Sequence, residues 1–561
     1  MNPSSAFAEV FVDELVRGGM REAVLAPGSR SAPLALALVA DQRIRLHVRH
    51  DERSAGYLAL GLAKVSGQPV AVVCTSGTAV ASVHPAVLEA SHARVPLLAL
   101  TADRPPELQQ TGANQTTDQV RVFGSAPRWA TQLGVPERRS GVVAYWRSVA
   151  ARACAVATRP LDAGPVHVNM PLREPLVPDD DDGEWPEPLA GRPAGRPWIE
   201  VDQALPPVDV LGDPPERGAV LVGEGCQDPD AAVRLAQALA WPVLSEPSGD
   251  ARTADVAIGT FPLLLADEEF AARHRPDLVV VAGAPGLSRS VLAWLRAAGE
   301  HLVVDPAPGF ADPTRTATRV VPAVPVPGVR REPGHWLRAW QAADAAARQA
   351  VDTVLDETEE LSEPRVAREL FAELPDGALL FAGSSRPGRD LEAYAVPRTG
   401  VHVYGNRGLA GIDGSVSAAM GAAYAHQRAG GGQAYALLGD LALLHDVNGF
   451  AVPPGEQPPA LTFVVVDNDG GGIFSLLEQQ DVAGFERVFG TPHGLDLCAV
   501  LAAYRVPVTE VAKAADLRAA LAPTPGITAV VVRTDRGDNA VLHRRVQAAV
   551  GDALGQLQSG A

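Results

Sequence analysis

Along this chain, short apolar runs alternate with amphipathic stretches, and each run closes in a polar or glycine-rich turn. Residues 6–20 carry Phe7, Val10, Phe11 and Leu15 near a 3.6-residue period, which predicts a helix. Residues 22–26 read as a buried strand ending at Pro27-Gly28-Ser29-Arg30, followed by a helix over 34–39 and a strand over 44–48. A helix over 56–65 and a strand over 70–74, closed by Thr75-Ser76-Gly77-Thr78, come next. A strand over 97–100 then runs into the polar loop Thr101-Ala102-Asp103-Arg104-Pro105-Pro106. Continuous apolar strands that alternate with helices imply a parallel sheet covered on both faces. In such sheets the ligand-binding loops lie beyond the carboxyl ends of the strands.

The same alternation returns twice. Strands are expected over 219–222, 241–245, 278–281 and 301–304, then over 378–381, 402–404, 434–438, 461–466 and 529–532. Between the blocks lie an acidic and proline-rich stretch, through Asp179-Asp180-Asp181-Asp182 and Pro193-Ala194-Gly195-Arg196-Pro197, and a second joint over 322–328. Both read as surface connectors; a long helix is expected over 336–355. The fold class is therefore α/β, with three domains of parallel sheet flanked by helices: 1–180, 200–340 and 355–561. No short-period repeat is present.

Composition narrows the function classes. A formal net charge of -18 argues against a nucleic-acid coat or an anionic membrane partner. No apolar stretch is long enough to span a bilayer, and the first residues lack a secretory pattern. Cysteines at 74, 154, 226 and 498 are too scattered for a disulfide scaffold or a zinc knuckle, so a reducing cytoplasm is the expected compartment. Lys64 and Lys513 are the only lysines, which leaves 46 of the 48 basic residues as arginine, the side chain whose planar fork suits carboxylates.

The densest chemistry is in the third block. The strand over 434–438 runs into Gly439-Asp440-Leu441, with a helix expected from about His445. The next strand ends in Asp467-Asn468-Asp469-Gly470-Gly471-Gly472, with Asn468 28 residues after Asp440. Neighbouring strands would present Asp440 and Asn468 at one sheet edge. A carboxylate, an amide oxygen and a backbone carbonyl make a hard oxygen site suited to Mg²⁺, and glycines with a following helix start suit a diphosphate. The competing reading is that both residues only cap helices. In the first block, Glu52 follows a strand and precedes a small-residue helix. Taken alone, it reads as a solvated surface residue.

The Asp440…Asn468 pair is similar to the signature of thiamine-diphosphate enzymes, with Leu441 in place of a glycine and Asp467 in place of an asparagine. More specifically, the chain resembles the SEPHCHC synthase family of menaquinone biosynthesis. The resemblance is carried by Ala26-Pro27-Gly28-Ser29-Arg30-Ser31-Ala32-Pro33-Leu34, Asp51-Glu52-Arg53-Ser54-Ala55, and Thr101 to Leu108 continuing into Gly112-Ala113-Asn114-Gln115-Thr116. In the third block it is carried by Gly405-Asn406-Arg407-Gly408-Leu409-Ala410-Gly411-Ile412-Asp413-Gly414 and by Gly470-Gly471-Gly472-Ile473-Phe474-Ser475-Leu476-Leu477.

That resemblance implies a transferase with thiamine diphosphate and Mg²⁺ or Mn²⁺ as cofactors. The enzyme would decarboxylate 2-oxoglutarate and add the succinyl semialdehyde carbanion to isochorismate. It implies a pyrimidine-binding domain over 1–180, a connecting domain over 200–340 and a diphosphate-binding domain over 355–561. Glu52 becomes the cofactor-activating glutamate, beside the pyrimidine N1′. Asp440, Asn468 and the Gly470 carbonyl become the metal ligands; Gly439, Gly471 and Ile473 line the cofactor, and Ile412 wedges it into a bent shape. The substrate set implied is Ser29, Arg30, Arg104, Asn114, Gln115, Ser385, Arg389 and Arg407, with Phe474 and Leu477 as apolar walls and Arg289 in the middle block. A bidentate arginine–carboxylate contact in a partly desolvated pocket contributes roughly 1.5–3 kcal/mol, with no single value shared by all of them and some arginines serving the fold instead. The family arrangement also implies a homodimer, or a dimer of dimers, with sites between subunits.

Three alternatives stand beside this reading: another thiamine-diphosphate enzyme such as a 2-oxo acid decarboxylase, a flavin-binding relative, and a non-catalytic α/β scaffold. Gly223-Glu224-Gly225-Cys226 is no dinucleotide fingerprint, which disfavours the flavin relative. His84, His445 and Cys74 read as structural residues, and Arg386 as an additional structural arginine.

Overall fold

The computed structural model describes residues 1–179, 183–202, 208–253, 255–307 and 309–559. Asp180–Asp182 of the acidic connector lie outside the described residues. By contacts the chain forms two compact units. The first comprises 1–205, 406–430 and 445–459, and the second comprises 206–405, 431–444 and 460–561.

The first unit is built on six parallel strands: β1 (Glu22–Leu25), β2 (Arg45–Val48), β3 (Val70–Cys74), β4 (Leu97–Asp103), β5 (Trp129–Gln132) and β6 (Val166–Pro171), in the order β2-β1-β3-β4-β6-β5. β1, β3 and β4 are buried along their whole length, which is why their sequences are apolar without alternation. β4 runs three residues beyond the expected strand: Thr101, Ala102 and Asp103 pair with Asn169, Met170 and Pro171 of β6. The polar side chains of Thr101 and Asp103 are tolerated there because Asn169 bonds both. Helix Pro3–Arg17 packs Phe7 against Trp146 and Phe11 against Phe7. The described residues of the first connector run along the surface, mostly exposed, and are pinned at intervals. Leu176, Trp185 and Leu189 pack on this core, and Trp198 N–H donates to Glu14 at 2.5 Å.

Helix Ser415–Arg428 belongs to this unit because it lies along helix Glu52–Ser66. The contact is close enough that Gly61 and Gly421 face backbone atoms of the opposite helix.

The second unit carries two larger sheets. One has β8 (Gly218–Val222), β9 (Val243–Ser245), β10 (Leu278–Ala282), β11 (Glu300–Val304) and β12 (Arg319–Val321), in the order β12-β11-β10-β8-β9. Its flank is a two-stranded pair, β7 (Val210–Leu211) with β13 (Val326–Pro327), so the second joint contributes a strand rather than a free connector. The core beneath holds Trp241, Trp336 and Trp340, together with Val546 and Val550 of the terminal helix Arg536–Ser559.

The other sheet consists of β14 (Ala378–Ala382), β15 (Val401–Tyr404), β16 (Ala434–Gly439), β17 (Leu461–Asp467), β18 (Val508–Glu510) and β19 (Ile527–Arg533). Its order, β15-β14-β16-β17-β19-β18, reproduces that of the first unit strand for strand. The α/β class with three parallel sheets stands. The helix expected from about His445 instead spans Asp440–His445, with the Asp440 carboxylate accepting the Leu441 N–H at 2.6 Å in its first turn.

Candidate active site

In the first unit the strand order turns between β1 and β3, the crevice where open α/β sheets take ligands. Arg30 sits in the turn after β1, 8% exposed, with Nη1 donating to the Leu172 carbonyl at 3.0 Å. Burial, and then the positive charge of Arg104, push its pKa below the ordinary arginine value. Arg104 donates to Ser76 Oγ at 2.6 Å and to Gln115 Oε1 at 3.0 Å, neither of which neutralises it. Two carboxylates stand near the pair: Glu174, 3.6 Å from Arg30 and 76% exposed in its side chain, and Asp103, whose charge acts on Arg104 and which also accepts the Arg104 backbone N–H. Two guanidiniums gathered at one sheet edge, neither in a side-chain hydrogen bond to a carboxylate, favour an anion. A cavity of about 350 Å³ beside Asp103 and Arg104 also touches Gln109, Thr116 and Gln119.

Ser29, Asn114 and Gln115 lie exposed around this edge, and Gln115 is joined to Arg104 as above. Sequence reasoning missed what holds these loops. Gln119 is buried; it accepts the Gly77 N–H at 2.9 Å and donates to the Ala102 carbonyl and to Asn169 at 3.1 and 2.8 Å.

Glu52 is the first residue of its helix rather than a residue ahead of it, because Asp51 is the cap, accepting the N–H groups of Arg53 and Ser54. Its surroundings are tied down on several sides. Asn448 donates to Asp51 at 3.0 Å, Arg53 donates to the His445 carbonyl at 2.6 Å, and Ser54 donates to Asp446 at 3.2 Å. Asp446 is buried, which pushes its pKa up to about 6. Burial, reinforced by the Glu52 charge, raises the Cys74 thiol at the end of β3. His445 and Cys74 thus sit in hydrogen-bonding and packing roles. The loop 405–414 carries Arg407, whose Nε is buried without a partner, and half-buried Ile412, whose carbonyl accepts from Ser415.

The second unit holds the acidic cradle. β16 and β17 pair in parallel with Gly439 opposite Val466, so Asp440 and Asp467-Asn468 emerge side by side. Asp440 is 2% exposed, and its Oδ2 accepts the Gly470 N–H at 2.8 Å. Gly470 thus presents its N–H to Asp440, while its carbonyl accepts from Gly472 at 2.9 Å and keeps one lone pair. Asn468 Nδ2 donates to Glu363 at 2.7 Å, which turns its Oδ1 the other way, buried and without a hydrogen-bond partner. Gly471 and Gly472 are buried, and Ile473 half-buried, in the turn that follows.

His493 joins from far along the chain. Its Nε2 lies 3.3 Å from Asp440 Oδ2 and 3.7 Å from Asp467, and one atom each of Asp440, Asp467 and His493 fall within 4.8 Å of one another. His493 Nδ1 accepts the Leu495 N–H at 3.0 Å, so the ring proton of the neutral form resides on Nε2 and points at the carboxylates. That proton and a cation compete for the same oxygens. Burial raises the pKa of Asp440, and burial with the Asp390 charge pushes Glu363 up to about 7. An orphaned buried amide oxygen, a buried carboxylate and a free carbonyl lone pair fit a hard divalent cation and its bridged diphosphate. Neither His493 nor Glu363 stands at a motif spacing that would have revealed it.

The other candidates of this unit are placed without such convergence. Ser385 stands at the N-cap position of helix Arg386–Tyr394 with no side-chain cap bond, and its carbonyl accepts from Arg389 Nη1 at 2.9 Å. Arg386 is turned inward to Asp390 and His543, a structural pairing. Phe474 packs against Phe489 with ring centres 5.5 Å apart, Leu477 is half-buried, and Arg289 is exposed on the first turn of helix Arg289–Arg296.

Comparison with known proteins places the chain among thiamine pyrophosphate enzymes. Residues 6–122 match the N-terminal TPP binding domain of thiamine pyrophosphate enzymes, 209–382 their middle domain and 390–532 their C-terminal TPP binding domain. The chain is 56% identical over 555 residues to the 2-succinyl-5-enolpyruvyl-6-hydroxy-3-cyclohexene-1-carboxylate synthase of Thermobifida fusca, covering 99% of this chain and all of that protein. It is 47% identical to the synthase of the same name from Saccharopolyspora erythraea, over 99% of this chain and all of that one. The Rhodococcus erythropolis synthase is 44% identical over 98% of this chain and the whole of its own length.

Proposed function

The chain belongs to the 2-succinyl-5-enolpyruvyl-6-hydroxy-3-cyclohexene-1-carboxylate synthase family of thiamine-diphosphate enzymes, and from that premise we propose that it joins 2-oxoglutarate to isochorismate in menaquinone biosynthesis, with loss of CO₂. Thiamine diphosphate, when bound, supplies the electron sink that permits both decarboxylation of a 2-oxo acid and carbon–carbon bond formation at the same carbon.

The residues divide the remaining work. Glu52 would meet the pyrimidine N1′ of the bound cofactor and hold a proton there. Asp440, Asn468 and the Gly470 carbonyl would hold Mg²⁺ or Mn²⁺, and Gly439, Gly471 and Ile473 would admit the diphosphate closely. Ile412 would press on the bound cofactor and set its shape. Arg30, Arg104, Arg389 and Arg407, with Ser29, Asn114, Gln115, Ser385 and Arg289, orient the substrate carboxylates, while Phe474 and Leu477 exclude water. Residues 1–180, 200–340 and 355–561 are the pyrimidine-binding, connecting and diphosphate-binding divisions of this reading. The activating glutamate and the acidic cradle come from different subunits, so the working form is at least a homodimer. Four free cysteines fit a cytoplasmic site of action.

The observation that carries the reading is the buried Arg30 beside Arg104, two guanidiniums gathered where a dicarboxylate would neutralise them. The experiment is a product assay with 2-oxoglutarate, isochorismate, thiamine diphosphate and Mg²⁺, read by mass spectrometry. The adduct is expected from the wild type, and its near-complete loss from Glu52→Gln with the fold retained. Release of succinic semialdehyde without adduct would point instead to a simple 2-oxo acid decarboxylase. Undiminished turnover by Glu52→Gln would remove that residue from the mechanism.

A further inference from the structure

Glu89 lies in the last turn of helix Thr78–His92 and is 3% exposed. That is a poor place for a carboxylate. The helix C-terminus presents negative partial charge, and a buried anion needs partners. Glu89 finds them in two consecutive backbone amides of a distant loop: Oε1 accepts the Gly408 N–H at 2.8 Å and Oε2 the Leu409 N–H at 2.7 Å. The loop approaches the helix end so closely that a Cβ on Gly408 would stand 2.8 Å from the Ala93 nitrogen and 2.9 Å from the Glu89 carbonyl oxygen. At the far end of the same loop, Tyr57 donates its hydroxyl proton to Asp413, and Ser415 donates to the Ile412 carbonyl at 2.7 Å. Arg407 directly precedes the first anchor, and Ile412 lies at the second. Leu409 between them is 51% exposed, so little apolar burial holds this part of the loop.

We infer that Glu89 is a positioning residue: its carboxylate clamps the loop 405–414 through two charge-assisted hydrogen bonds and so sets where Arg407 and Ile412 stand. The functional consequence rests on the reading given above for Arg407 and Ile412, whereas the clamp rests on geometry alone. Both carboxylate oxygens are engaged by backbone, so Glu89 acts through the loop and not on substrate.

The test is hydrogen–deuterium exchange on the full-length protein for wild type, Glu89→Ala, Glu89→Gln and Gly408→Ala, with thiamine diphosphate affinity in Mg²⁺ measured by calorimetry on the same samples. Loss of one bond to a charged acceptor should speed exchange in peptides covering 405–414 by at least about tenfold. Glu89→Ala should exceed Glu89→Gln, which keeps one acceptor oxygen. Gly408→Ala should loosen the same peptides with the carboxylate untouched, and it carries the test if Glu89→Ala does not fold. Cofactor affinity and kcat/KM should fall in the same order. Unchanged exchange in 405–414 overturns the clamp; a loosened loop with unchanged affinity and kcat/KM overturns its positioning role. Arg407→Ala and Ile412→Ala are measured alongside. If both leave affinity and kcat/KM intact while Glu89→Ala loosens the loop, the clamp stands and the functional reading fails.

Discussion

Replacing Gly61 by alanine tests the packing that carries Glu52. An ideal Cβ on Gly61 would lie 2.1 Å from the Ala418 carbonyl oxygen and 2.8 Å from the Ala422 nitrogen, both backbone atoms of the facing helix. An ordinary carbon–oxygen contact is about 3.3 Å, so the helices must separate by roughly 1 Å. Overpacking of this kind costs about 1–3 kcal/mol, and the upper part of that range applies because backbone cannot rotate aside. Alanine in a helix interior returns about 1 kcal/mol relative to glycine. The net expectation is a loss of about 2 kcal/mol, or about 4–8 °C in Tm for a domain of 150–250 residues. Differential scanning calorimetry and urea titration of Gly61→Ala measure it. Gly555→Ala, at an exposed helical position with open space around it, isolates the propensity gain and should be neutral or stabilising. If Gly61→Ala were stabilised like Gly555→Ala, the two helices would not meet at Gly61. Activity should fall further than stability, because a displacement near 1 Å at a reacting group can cost about a hundredfold.

Three other outcomes are expected. His47 is buried between Glu22 and Glu456, which raise its pKa against the opposing effect of burial; Glu456, also opposed by burial, is held down at about 2 by His47 and Arg49. The Glu456 contribution is present above its ordinary value near 4.5 and lost as pH falls toward 2, while that of His47 is present below 6.5 and lost as pH rises through its folded value. Stability from this pair therefore peaks between about pH 4.5 and 6.5, and Glu456→Gln should flatten the stability–pH profile on urea titration; an unaltered profile counts against the pairing. Chelation of divalent metal, or Asp440→Asn, should abolish tight thiamine diphosphate binding by calorimetry without unfolding the chain, and metal-independent binding would contradict the cradle. Arg104→Lys should raise the KM of a carboxylate substrate by about tenfold or more, since an ammonium cannot bond Ser76 and Gln115 while offering a fork to an anion; an unchanged KM for both substrates would remove Arg104 from the substrate set.

Much of the fold was legible in the chain. The apolar runs at 70–74, 434–438 and 461–466 became buried parallel strands because a strand covered on both faces needs apolar residues at every position. The adjacency of Asp440 and Asn468 was also readable, since each follows its own strand and neighbouring strands end at one edge. Other features were not readable. β4 outran its apolar segment because Asn169 satisfies Thr101 and Asp103 from a strand 66 and 68 residues away. The first and third sheets share a strand order with no repeat in their sequences, since topology constrains where strands lie and not which apolar residues fill them.

The sequence by itself determined which segments are strands or helices and which loops bear carboxylates, arginines and glycines, because periodicity and turn chemistry act over a few residues. Only the tertiary structure decided the partners: His493 at Asp440, Glu363 behind Asn468, and Glu89 on amides 319 and 320 residues away. Such pairings carry no local signature. A buried polar group must find a complement wherever the packed chain brings one, and the free energy of the whole core determines which segment that is.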